Sequence, residues 1–453
     1  MQADIVICGA GIAGIAAAHR LSAGPGRRRI LLVDERPPLT LTSDKSTECY
    51  RNFWPGPGEA MVALTNRSID LMEALARETG NRFAMNRRGY LFATAGDSAA
   101  LIAAAGEASS LGAGPLRLHD GSAGEPDYVP HRPEGFDDSP DGVDVIRDGA
   151  IIRARFPWLA LDATVVVHAR RCGWLSAQQL GMTLLEKARD NGVTLLRGRV
   201  TQIDTASARV NAVEIATPGG TETVAAPVFV NAAGPYSPDI NRLLGVELPI
   251  ALEGHVKMSF ADTRGAVPRD APLIVWNDPV RLPWSTEERM SLAADPDLRH
   301  LLAPFPAGVH GRPEGRGDSV ILYWTYDVLS RAPVFPIPHD PAYPEILIRG
   351  MAAMIPALSS YFGALPKPYI DGGYYTRTPE NRPLIGPLPV AGTYISSAFS
   401  GFGIMTAMAS AELLAAHIDD TPLPSYVAAF APARYADPAY NALLATWPET
   451  GEL

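Results

Sequence analysis

The fold class is decided by one stretch near the N-terminus, Ile5-Val-Ile-Cys-Gly9-Ala-Gly11-Ile-Ala-Gly14-Ile-Ala-Ala-Ala-His-Arg-Leu21. Its first four residues are apolar, as in a buried strand, and the alanine-rich part has helical character. Gly9 allows a sharp turn, Gly11 allows close approach to a pyrophosphate, and Gly14 allows the helix to pack tightly on the strand. The N-terminus of that helix then faces the phosphates. The spacing therefore predicts a dinucleotide site.

A carboxylate follows where such a site needs one. The strand 30–33 leads to Asp34, 20 residues beyond Gly14, and an acceptor for a ribose 2′-hydroxyl is required at about this separation. The polar loop 41–51 comes next. It carries Lys45, Ser46 and Thr47, which can return over a pyrophosphate and donate hydrogen bonds to it. A plain surface loop is the alternative reading of the same residues.

Length and composition fit a soluble enzyme of two domains. The 453 residues can bury a large core, and 47% of them are hydrophobic. The formal net charge of −10 argues against nucleic-acid binding, which needs clustered Lys and Arg. Cys8, Cys49 and Cys172 are widely spaced, so neither a disulfide framework nor a metal site is expected and a reducing cytoplasm fits. No stretch reaches the roughly 18–20 uncharged apolar residues of a membrane-spanning helix, so no membrane insertion is expected.

Some segments carry weaker signals. Residues 112–142 are rich in Gly, Pro, Asp and Ser and are predicted to form a long loop. Residues 193–196 and 199–203 are predicted as paired strands. From 248 to 362, strands alternate with Pro-rich connections and large aromatic residues are frequent. This region is predicted to be a sheet-based domain with a substrate pocket, although any single aromatic residue can equally fill a core.

Two further turns of small residues occur later in the chain. The strand that begins at Val228 ends in Ala232-Ala233-Gly234, and Ser400-Gly401-Phe402-Gly403 opens an alanine-rich helix. A second glycine turn far from the first is what a two-ended ligand such as FAD requires. The positive N-terminus of the last helix could stabilise negative charge on a reduced flavin.

Taken together, these motifs resemble the FAD-dependent oxidoreductases of the D-amino-acid oxidase superfamily, in particular glycine oxidase, sarcosine oxidase and D-amino-acid dehydrogenase. The matching motifs are in family order and cover most of the chain, except 112–142 and 263–345. They are Gly9-Ala-Gly11-Ile-Ala-Gly14, Asp34, Lys45-Ser46-Thr47, Val228-Phe-Val-Asn-Ala-Ala-Gly234-Pro-Tyr-Ser, Thr378-Pro-Glu-Asn-Arg-Pro-Leu-Ile-Gly386-Pro and Ser400-Gly-Phe-Gly403.

The resemblance implies an α/β fold with two domains. A discontinuous Rossmann-type FAD-binding domain is expected at 1–80, 145–245 and 370–453. A second α+β substrate domain, built on a large mixed sheet, is expected at 81–144 and 246–369. The residues expected to bind FAD, with Val200 near the adenine and 401–405 at the flavin ring, are Gly9, Gly11, Ile12, Ala13, Gly14, Asp34, Glu35, Lys45, Ser46, Thr47, Arg51, Val200, Ala232, Ala233, Gly234, Gly401, Phe402, Gly403, Ile404 and Met405.

The implied reaction removes a hydride from the carbon next to an amine nitrogen and gives an imine, with oxygen or another acceptor taking the electrons. Sarcosine-oxidase relatives attach their flavin through a cysteine where this chain has Gly373, so non-covalent FAD is expected. They also place an oxygen-activating lysine near the position of Leu322 or Tyr323. No lysine occurs between Arg316 and Arg331, so both an oxidase and a dehydrogenase stay open.

Substrate-binding residues are less clearly marked. The family's carboxylate-binding residues fall at Met405 and at Arg51, with Trp54 an equal alternative to Arg51, so a bulkier or less acidic amine than a simple amino acid is expected. The candidates for catalysis and for holding the substrate or its carboxylate are His255, Tyr326, Tyr375 and Arg377. His255 could accept a proton. A structural role is the alternative for each of them.

Two other functions remain open at this level. A flavin monooxygenase shares the N-terminal glycines, but it normally carries a Gly-Asp-Ala segment where this chain has 400–403. A non-catalytic flavin-binding subunit is the second alternative, because the family's lysine and cysteine are both missing.

Overall fold

The computed structural model describes residues 1–328, 330 and 332–447. Within these residues the strands are β1 (Ile5–Cys8), β2 (Ile30–Asp34), β3 (Cys49–Arg51), β4 (Tyr90–Thr94), β5 (Leu116–His119), β6 (Val143–Ile146), β7 (Val165–Ala169), β8 (Cys172–Trp174), β9 (Thr194–Arg197), β10 (Arg199–Ala206), β11 (Arg209–Thr217), β12 (Gly220–Ala225), β13 (Val228–Asn231), β14 (Ala251–Ala261), β15 (Leu273–Trp276), β16 (Val280–Arg281), β17 (Pro304–Phe305), β18 (His310–Pro313), β19 (Ser319–Tyr323), β20 (Tyr369–Arg377), β21 (Leu384–Pro387) and β22 (Thr393–Ser397). The helices are α1 (Ile12–Ser22), α2 (Ala60–Glu78), α3 (Ala99–Ala108), α4 (Gly149–Arg155), α5 (Ala177–Asp190), α6 (Ser237–Leu243), α7 (Thr286–Ala294), α8 (Tyr343–Ala352), α9 (Gly403–Asp419) and α10 (Pro438–Leu444).

The first strand lies inside a six-stranded sheet with the order β21-β22-β13-β1-β2-β9. The strands from β22 to β9 are parallel, and β21 is an antiparallel edge strand. Alternate residues of β1 face opposite sides, since Ile5 and Ile7 pack with α1, α2, α5 and α9 whereas Val6 packs with β10, β11 and β12. Both faces of the sheet are covered, which explains the continuous apolar sequence of β1 and β2.

The second sheet has nine strands in the order β20-β14-β19-β18-β15-β4-β7-β6-β5. The pairs β15–β4 and β6–β5 are parallel and the other neighbouring pairs are antiparallel. One face packs on α8, and the other packs on α3. A Rossmann-type α/β unit together with a large mixed sheet is the predicted fold class, which is thereby confirmed.

The two sheets draw on different chain segments from those expected for the two domains. β7 lies within the segment 145–245 predicted for the FAD-binding domain, but it belongs to the nine-stranded sheet. β20, at the start of the segment 370–453 that was also predicted for the FAD-binding domain, likewise belongs to the nine-stranded sheet. An apolar strand sequence does not say which sheet it joins. The domain boundaries stay a prediction, and Leu329, Arg331 and 448–453 lie outside the described residues.

Two local predictions are wrong. The strands at 193–196 and 199–203 do not pair with each other, because β9 joins β2 in the parallel sheet and β10 pairs with β11. Only Gly198 separates them, and a hairpin commonly needs a loop of two or more residues. The predicted loop 112–142 contains β5, which pairs with β6 at the edge of the large sheet.

Other features bear on partners and compartment. The helical segment Ser400–Asp419 is long and apolar enough to cross a membrane, but 61% of its apolar window is buried inside the protein, and α9 packs against α1 and α2. The three cysteines are buried and free. Among the residues that the structure describes, no group of three or more His, Cys, Asp or Glu side chains could hold a metal ion.

A buried ionic cluster lies at the β5 end of the large sheet. Asp144 receives hydrogen bonds from Arg117 Nε (2.6 Å), His119 Nε2 (2.9 Å) and Arg170 Nη1 (3.0 Å). Asp144 and Arg170 are each 2% exposed. Burial alone would raise the pKa of Asp144, but the hydrogen bonds from Arg117 and His119 and the charge of Arg170 outweigh it and hold the pKa below its usual range.

We expect Asp144→Asn to lower the free energy of unfolding by about 3–5 kcal/mol at pH 7, because it leaves the buried charge of Arg170 uncompensated. The loss should shrink as the pH falls through the depressed pKa of Asp144, where the native carboxylate also becomes neutral. The control is Asp137→Asn, which breaks an exposed pair with Arg77 and should cost below about 1 kcal/mol. Urea denaturation measures both, and equal losses in the two variants would contradict the expectation.

Candidate active site

A cavity lies at the carboxyl edge of the parallel sheet. We call it the sheet-edge cavity. Its walls are formed by the segments that follow β1, β2, β13 and β22, which are 9–13, 34–46, 232–235 and 399–404. This edge is where open α/β sheets bind their ligands. Both glycine turns that the sequence singled out, at Gly9 and at Gly401, therefore border one and the same cavity.

The first turn is closed by backbone contacts that exclude side chains. Gly9 has a φ of +110°, and a Cβ atom there would lie 2.3 Å from the carbonyl oxygen of Ala232. A Cβ atom on Gly14 would lie 1.9 Å from the carbonyl oxygen of Gly9. Glycine at these two positions brings β1, the start of α1 and the turn after β13 together, and so defines one end of the cavity.

Asp34 and Ser43 complete this end. The Asp34 carboxylate accepts hydrogen bonds from the amides of Ala10 (2.7 Å) and Arg36 (2.9 Å). Burial raises the pKa of Asp34, and these two amides partly oppose the shift. Each carboxylate oxygen can accept one further hydrogen bond. Ser43 Oγ accepts from the amide of Ile12 (3.0 Å), at the N-terminus of α1.

The loop over the cavity is fastened to the nine-stranded sheet. Lys257 Nζ on β14 donates to the carbonyl oxygens of Ser46 (2.7 Å) and Asp44 (3.4 Å). Arg312 Nε on β18 donates to the carbonyl oxygen of Thr47 (2.8 Å). Burial lowers the pKa of Lys257, although the nearby carboxylates, first among them Glu48, oppose the shift. The half-buried Lys257 and the buried Arg312 thus hold the loop at three carbonyl groups.

A second cavity, of about 760 Å³, lies beside the first. Two aromatic contacts stand between them. Tyr375, on the wall of the sheet-edge cavity, stacks on His255, on the wall of the second cavity, with ring centroids 4.1 Å apart. Phe402, within the second glycine turn, meets Trp54 edge to face at 4.6 Å. We keep the name second cavity for this space.

Charged groups converge on the second cavity. His255 Nδ1 lies 2.6 Å from Tyr323 Oη, and His255 Nε2 lies 3.4 Å from Glu253 Oε2. Glu253 Oε2 also lies 3.5 Å from Arg377 Nη1. The hydrogen bond from His255 and the charge of Arg377 hold the pKa of Glu253 below its usual range. Burial lowers the pKa of His310, on the same cavity, to about 4, so this ring is neutral at pH 7.

A family model described as FAD dependent oxidoreductase (DAO) matches residues 4–417. The chain belongs to this family. As a DAO-family member it is a FAD-dependent oxidoreductase. Neither alternative left open by the sequence, a flavin monooxygenase or a non-catalytic subunit, gains support from this match.

The fold is shared with solved DAO-type structures of low sequence identity. L-proline dehydrogenase from P. horikoshii superposes with a TM-score of 0.72 at 18% identity, covering 96% of this chain and 98% of that chain. Glycine oxidase from Geobacillus kaustophilus gives 0.70 at 17% identity, covering 95% and 98%. Iminodiacetate oxidase from Chelativorans sp. BNC1 gives 0.67 at 17% identity, covering 94% and 98%. No curated protein sequence matches the chain.

The residues of the sheet-edge cavity fit FAD. Gly9 and Gly11 of the first glycine turn line the cavity without a side chain, and Asp34 keeps acceptor capacity for a ribose hydroxyl. At the other end, α9 begins at Gly403 without a side-chain cap, and its first residues line the cavity. The N-terminus of α9 therefore places partial positive charge at this end of the cavity.

Predicted FAD-binding residues fall into two groups, and their roles remain predictions. Those on the wall of the sheet-edge cavity are Gly9, Gly11, Ile12, Ala13, Asp34, Ser46, Ala232, Ala233, Gly234, Gly401, Gly403 and Ile404. Gly14 packs behind them on Gly9. The other predicted residues lie outside this wall. Glu35 pairs with Arg36, Lys45 pairs with Asp371, and the carbonyl of Thr47 accepts a hydrogen bond from Arg312. Val200 packs in the core formed by β10, β11 and β12, Arg51 lines the second cavity, Phe402 contacts Trp54 between the two cavities, and Met405 is in the helical core.

The predicted catalytic residues are brought together with one exception. His255 and Arg377 line the second cavity, and Tyr375 stacks on His255 from the sheet-edge side. Tyr326 instead lies in an aromatic cluster with Phe305 and Tyr343, and it is not among the residues described as lining either cavity.

Sequence reasoning missed several residues of the two cavities. Thr42 and Ser43 line the sheet-edge cavity in place of the later Lys45 and Thr47, and their hydroxyl groups in the loop after Asp34 were the available signal. Glu253, His310, Arg382 and Trp447 line the second cavity. No spacing in the sequence links these four, because they come from separate strands and loops.

We expect Lys257→Met to raise the Kd for FAD by about tenfold, because the isosteric side chain removes a charge-assisted hydrogen bond to the loop. Titration of apoprotein with FAD measures the Kd. Lys187→Met is the matched control, since Lys187 pairs with Glu78 near the surface of the Rossmann-type unit. An unchanged Kd in a folded Lys257→Met protein would show that the loop does not depend on this lysine.

Asp34→Ala should weaken FAD retention by at least about tenfold, through loss of the ribose acceptor and of the acceptor for the Ala10 amide. The control is Asp4→Ala, which removes an exposed carboxylate that binds Arg29 just before β1. FAD content after gel filtration reports the outcome. Full occupancy in Asp34→Ala would remove the ribose assignment.

Proposed function

We propose that the protein removes a hydride from the carbon next to the amine nitrogen of an amino acid or secondary amine. The product is an imine, formed in its protonated state; FAD, when bound, would supply the hydride acceptor, and oxygen or another acceptor would then take the electrons. The carrying observation is the second cavity, which holds convergent polar groups and meets the sheet-edge cavity at the aromatic contacts of Tyr375 and Phe402. The names of the three similar structures, which concern proline, glycine and iminodiacetate, support an amine substrate with a carboxylate.

In this proposal the chain mainly positions the amine, and few acid–base groups are needed. Arg51 binds the substrate carboxylate. The Arg51 guanidinium lies at the contact of Trp54 with Phe402 between the two cavities, with Cζ 4.3 Å from the Trp54 ring and 5.7 Å from the Phe402 ring. It is 3% exposed as a residue, so a carboxylate bound there is shielded from water. The carbon to be oxidised then lies beside the second glycine turn.

His255 is the proposed proton acceptor for the amine. Tyr323 and Tyr375 fix its ring by a hydrogen bond and by stacking. A proton taken by the ring is stabilised by the carboxylate of Glu253, 3.4 Å away, which remains charged because its pKa is low. Removal of that proton leaves the nitrogen lone pair free to assist loss of the hydride.

FAD is proposed to be bound without a covalent link. A Cβ atom on Gly373 would lie 2.9 Å from the Cα of Thr42, so the loop occupies the space that a cysteine side chain would need. In the described part of the chain none of the three cysteines lines either cavity. Acid precipitation should therefore release FAD into the supernatant.

A small-molecule partner and a cytoplasmic location complete the proposal, with no nucleic-acid partner and no membrane insertion. The three free, buried cysteines fit a reducing compartment. The net charge of −10 disfavours binding to nucleic acid.

In the test, N-methyl, cyclic, D- and L-amino acids are mixed with the protein under anaerobic conditions. Reduction of the flavin is measured as the loss of its visible absorbance. At least one of these amines should bleach the flavin, and His255→Gln should slow the reduction by about 100-fold without loss of FAD. His300→Gln, at an exposed histidine outside both cavities, should not change the rate. Failure of every amine class would contradict the proposal. Reoxidation by air, compared with a dye, separates an oxidase from a dehydrogenase.

A further inference from the structure

Arg382 is a buried cation on the wall of the second cavity that the proposed reaction does not use. The residue is 8% exposed. Its Nη2 atom donates a hydrogen bond to the carbonyl oxygen of Pro57, and its Cζ atom lies 4.6 Å from the centre of the Trp447 ring. A neutral carbonyl and an aromatic face position the guanidinium but do not neutralise it.

No carboxylate lies within 4.0 Å of the Arg382 guanidinium among the residues that the structure describes. Glu380 is near in sequence, but it is bound by Arg434 (2.7 Å) and by the hydroxyl groups of Tyr435 (2.9 Å) and Tyr440 (2.8 Å). That ion pair is fully buried and balanced in charge. Burial lowers the pKa of Arg382, which is the direction expected for a cation with incomplete compensation.

Arg382 and Arg51 stand on the same stretch of wall. Arg51 stacks on Trp54, and Arg382 binds the carbonyl of Pro57. Three residue steps span at most roughly 11 Å. The Arg51 end adjoins Phe402 of the second glycine turn, whereas the Arg382 end adjoins Trp447. The cavity between them, at about 760 Å³, lies within the roughly 300–1,000 Å³ of a small-ligand pocket, so it has room for a ligand with two anionic groups.

We propose that Arg382 binds a second carboxylate of the substrate, remote from the carbon that is oxidised. The substrate is then a dicarboxylic amino acid or secondary amine, with one carboxylate on Arg51 and the other on Arg382. A guanidinium fork suits a carboxylate because it can donate two parallel hydrogen bonds. This inference rests on the proposed function, since Arg51 holds the first carboxylate there.

The test uses binding, so that it does not depend on turnover. The holoenzyme is titrated with dicarboxylates from succinate to pimelate and with the monocarboxylates of equal chain length, and the shift of the flavin absorbance is followed. At least one dicarboxylate should bind about tenfold more tightly than its monocarboxylate counterpart, as one charge-assisted contact predicts. No preference in the native protein would overturn the proposal.

Arg382→Met should remove the preference by raising the dicarboxylate Kd toward that of the monocarboxylate, and Arg382→Lys should restore part of it. Arg316→Met, at a side chain that is 91% exposed, should keep the full preference. An equal weakening of both ligands in Arg382→Met would indicate a general structural role and overturn the proposal. If Arg382→Met does not retain FAD, Arg382→Gln replaces it.

Two further arms separate the remaining explanations. Glu449 and Glu452 follow Trp447 in the sequence, so the titrations are repeated in the E449Q/E452Q variant. A preference that exists only in that variant would show that the chain's own carboxylates occupy Arg382, which contradicts the proposal. In the anaerobic screen, iminodiacetate is compared with sarcosine, and glutamate with glutamine. If no amine bleaches the flavin, the proposed reaction fails while the binding result still decides the role of Arg382.

Discussion

The structure depends on the contact of two backbones at Gly9. There the chain leaves β1 with a positive φ and passes so close to Ala232 that any side chain would clash. Gly14 repeats the constraint one helical turn later, against the carbonyl of Gly9 itself. Because of these contacts, the ends of β1 and β13 and the start of α1 converge on one point. These three segments form one end of the sheet-edge cavity.

A second constraint connects this edge to the nine-stranded sheet. The loop after Asp34 contributes wall residues to the sheet-edge cavity, but its carbonyl groups are bound by Lys257 and Arg312 on strands of the other sheet. Cations that are removed from water need hydrogen-bond acceptors, and here backbone carbonyl oxygens are among those acceptors. The loop therefore holds the two sheets in a fixed relation. Tyr375, from the nine-stranded sheet, and Phe402, which follows the six-stranded sheet, can then lie between the two cavities.

The sequence was sufficient for the fold class because its signals are local. A strand of four apolar residues, glycines at fixed spacing and an acid at the end of the next strand each act within about 30 residues, and the family match agrees with them. The strand pairings at 193–203 failed for a different reason. An apolar strand carries no information on its partner, and β9 and β10 go to separate sheets.

The site was harder to predict because it depends on register and on long-range contacts. Thr325 Oγ1 lies 3.5 Å from His255 Nδ1, while the next residue, Tyr326, lies in an aromatic cluster with Tyr343. In the loop, a 3₁₀ turn at Thr42–Asp44 decides which hydroxyls face the cavity. Arg382 and Trp447 are 65 residues apart in sequence and meet only in the folded chain. Composition and spacing do not reveal such pairs.

The charges of the second cavity act on the amine as well as on the carboxylates. Glu253 is shared by His255 and Arg377, and Glu380 is taken up by Arg434. Arg382 therefore adds positive charge to the space in which the amine is proposed to bind. A nearby cation disfavours a protonated amine and lowers its pKa. Loss of a hydride needs the neutral amine, but in the proposed complex the substrate carboxylates neutralise Arg51 and Arg382, so removal of the amine proton falls to His255. In the proposed reaction, recognition of the anionic groups by the arginines and activation of the amine by His255 and Glu253 are therefore separate tasks of one cavity wall.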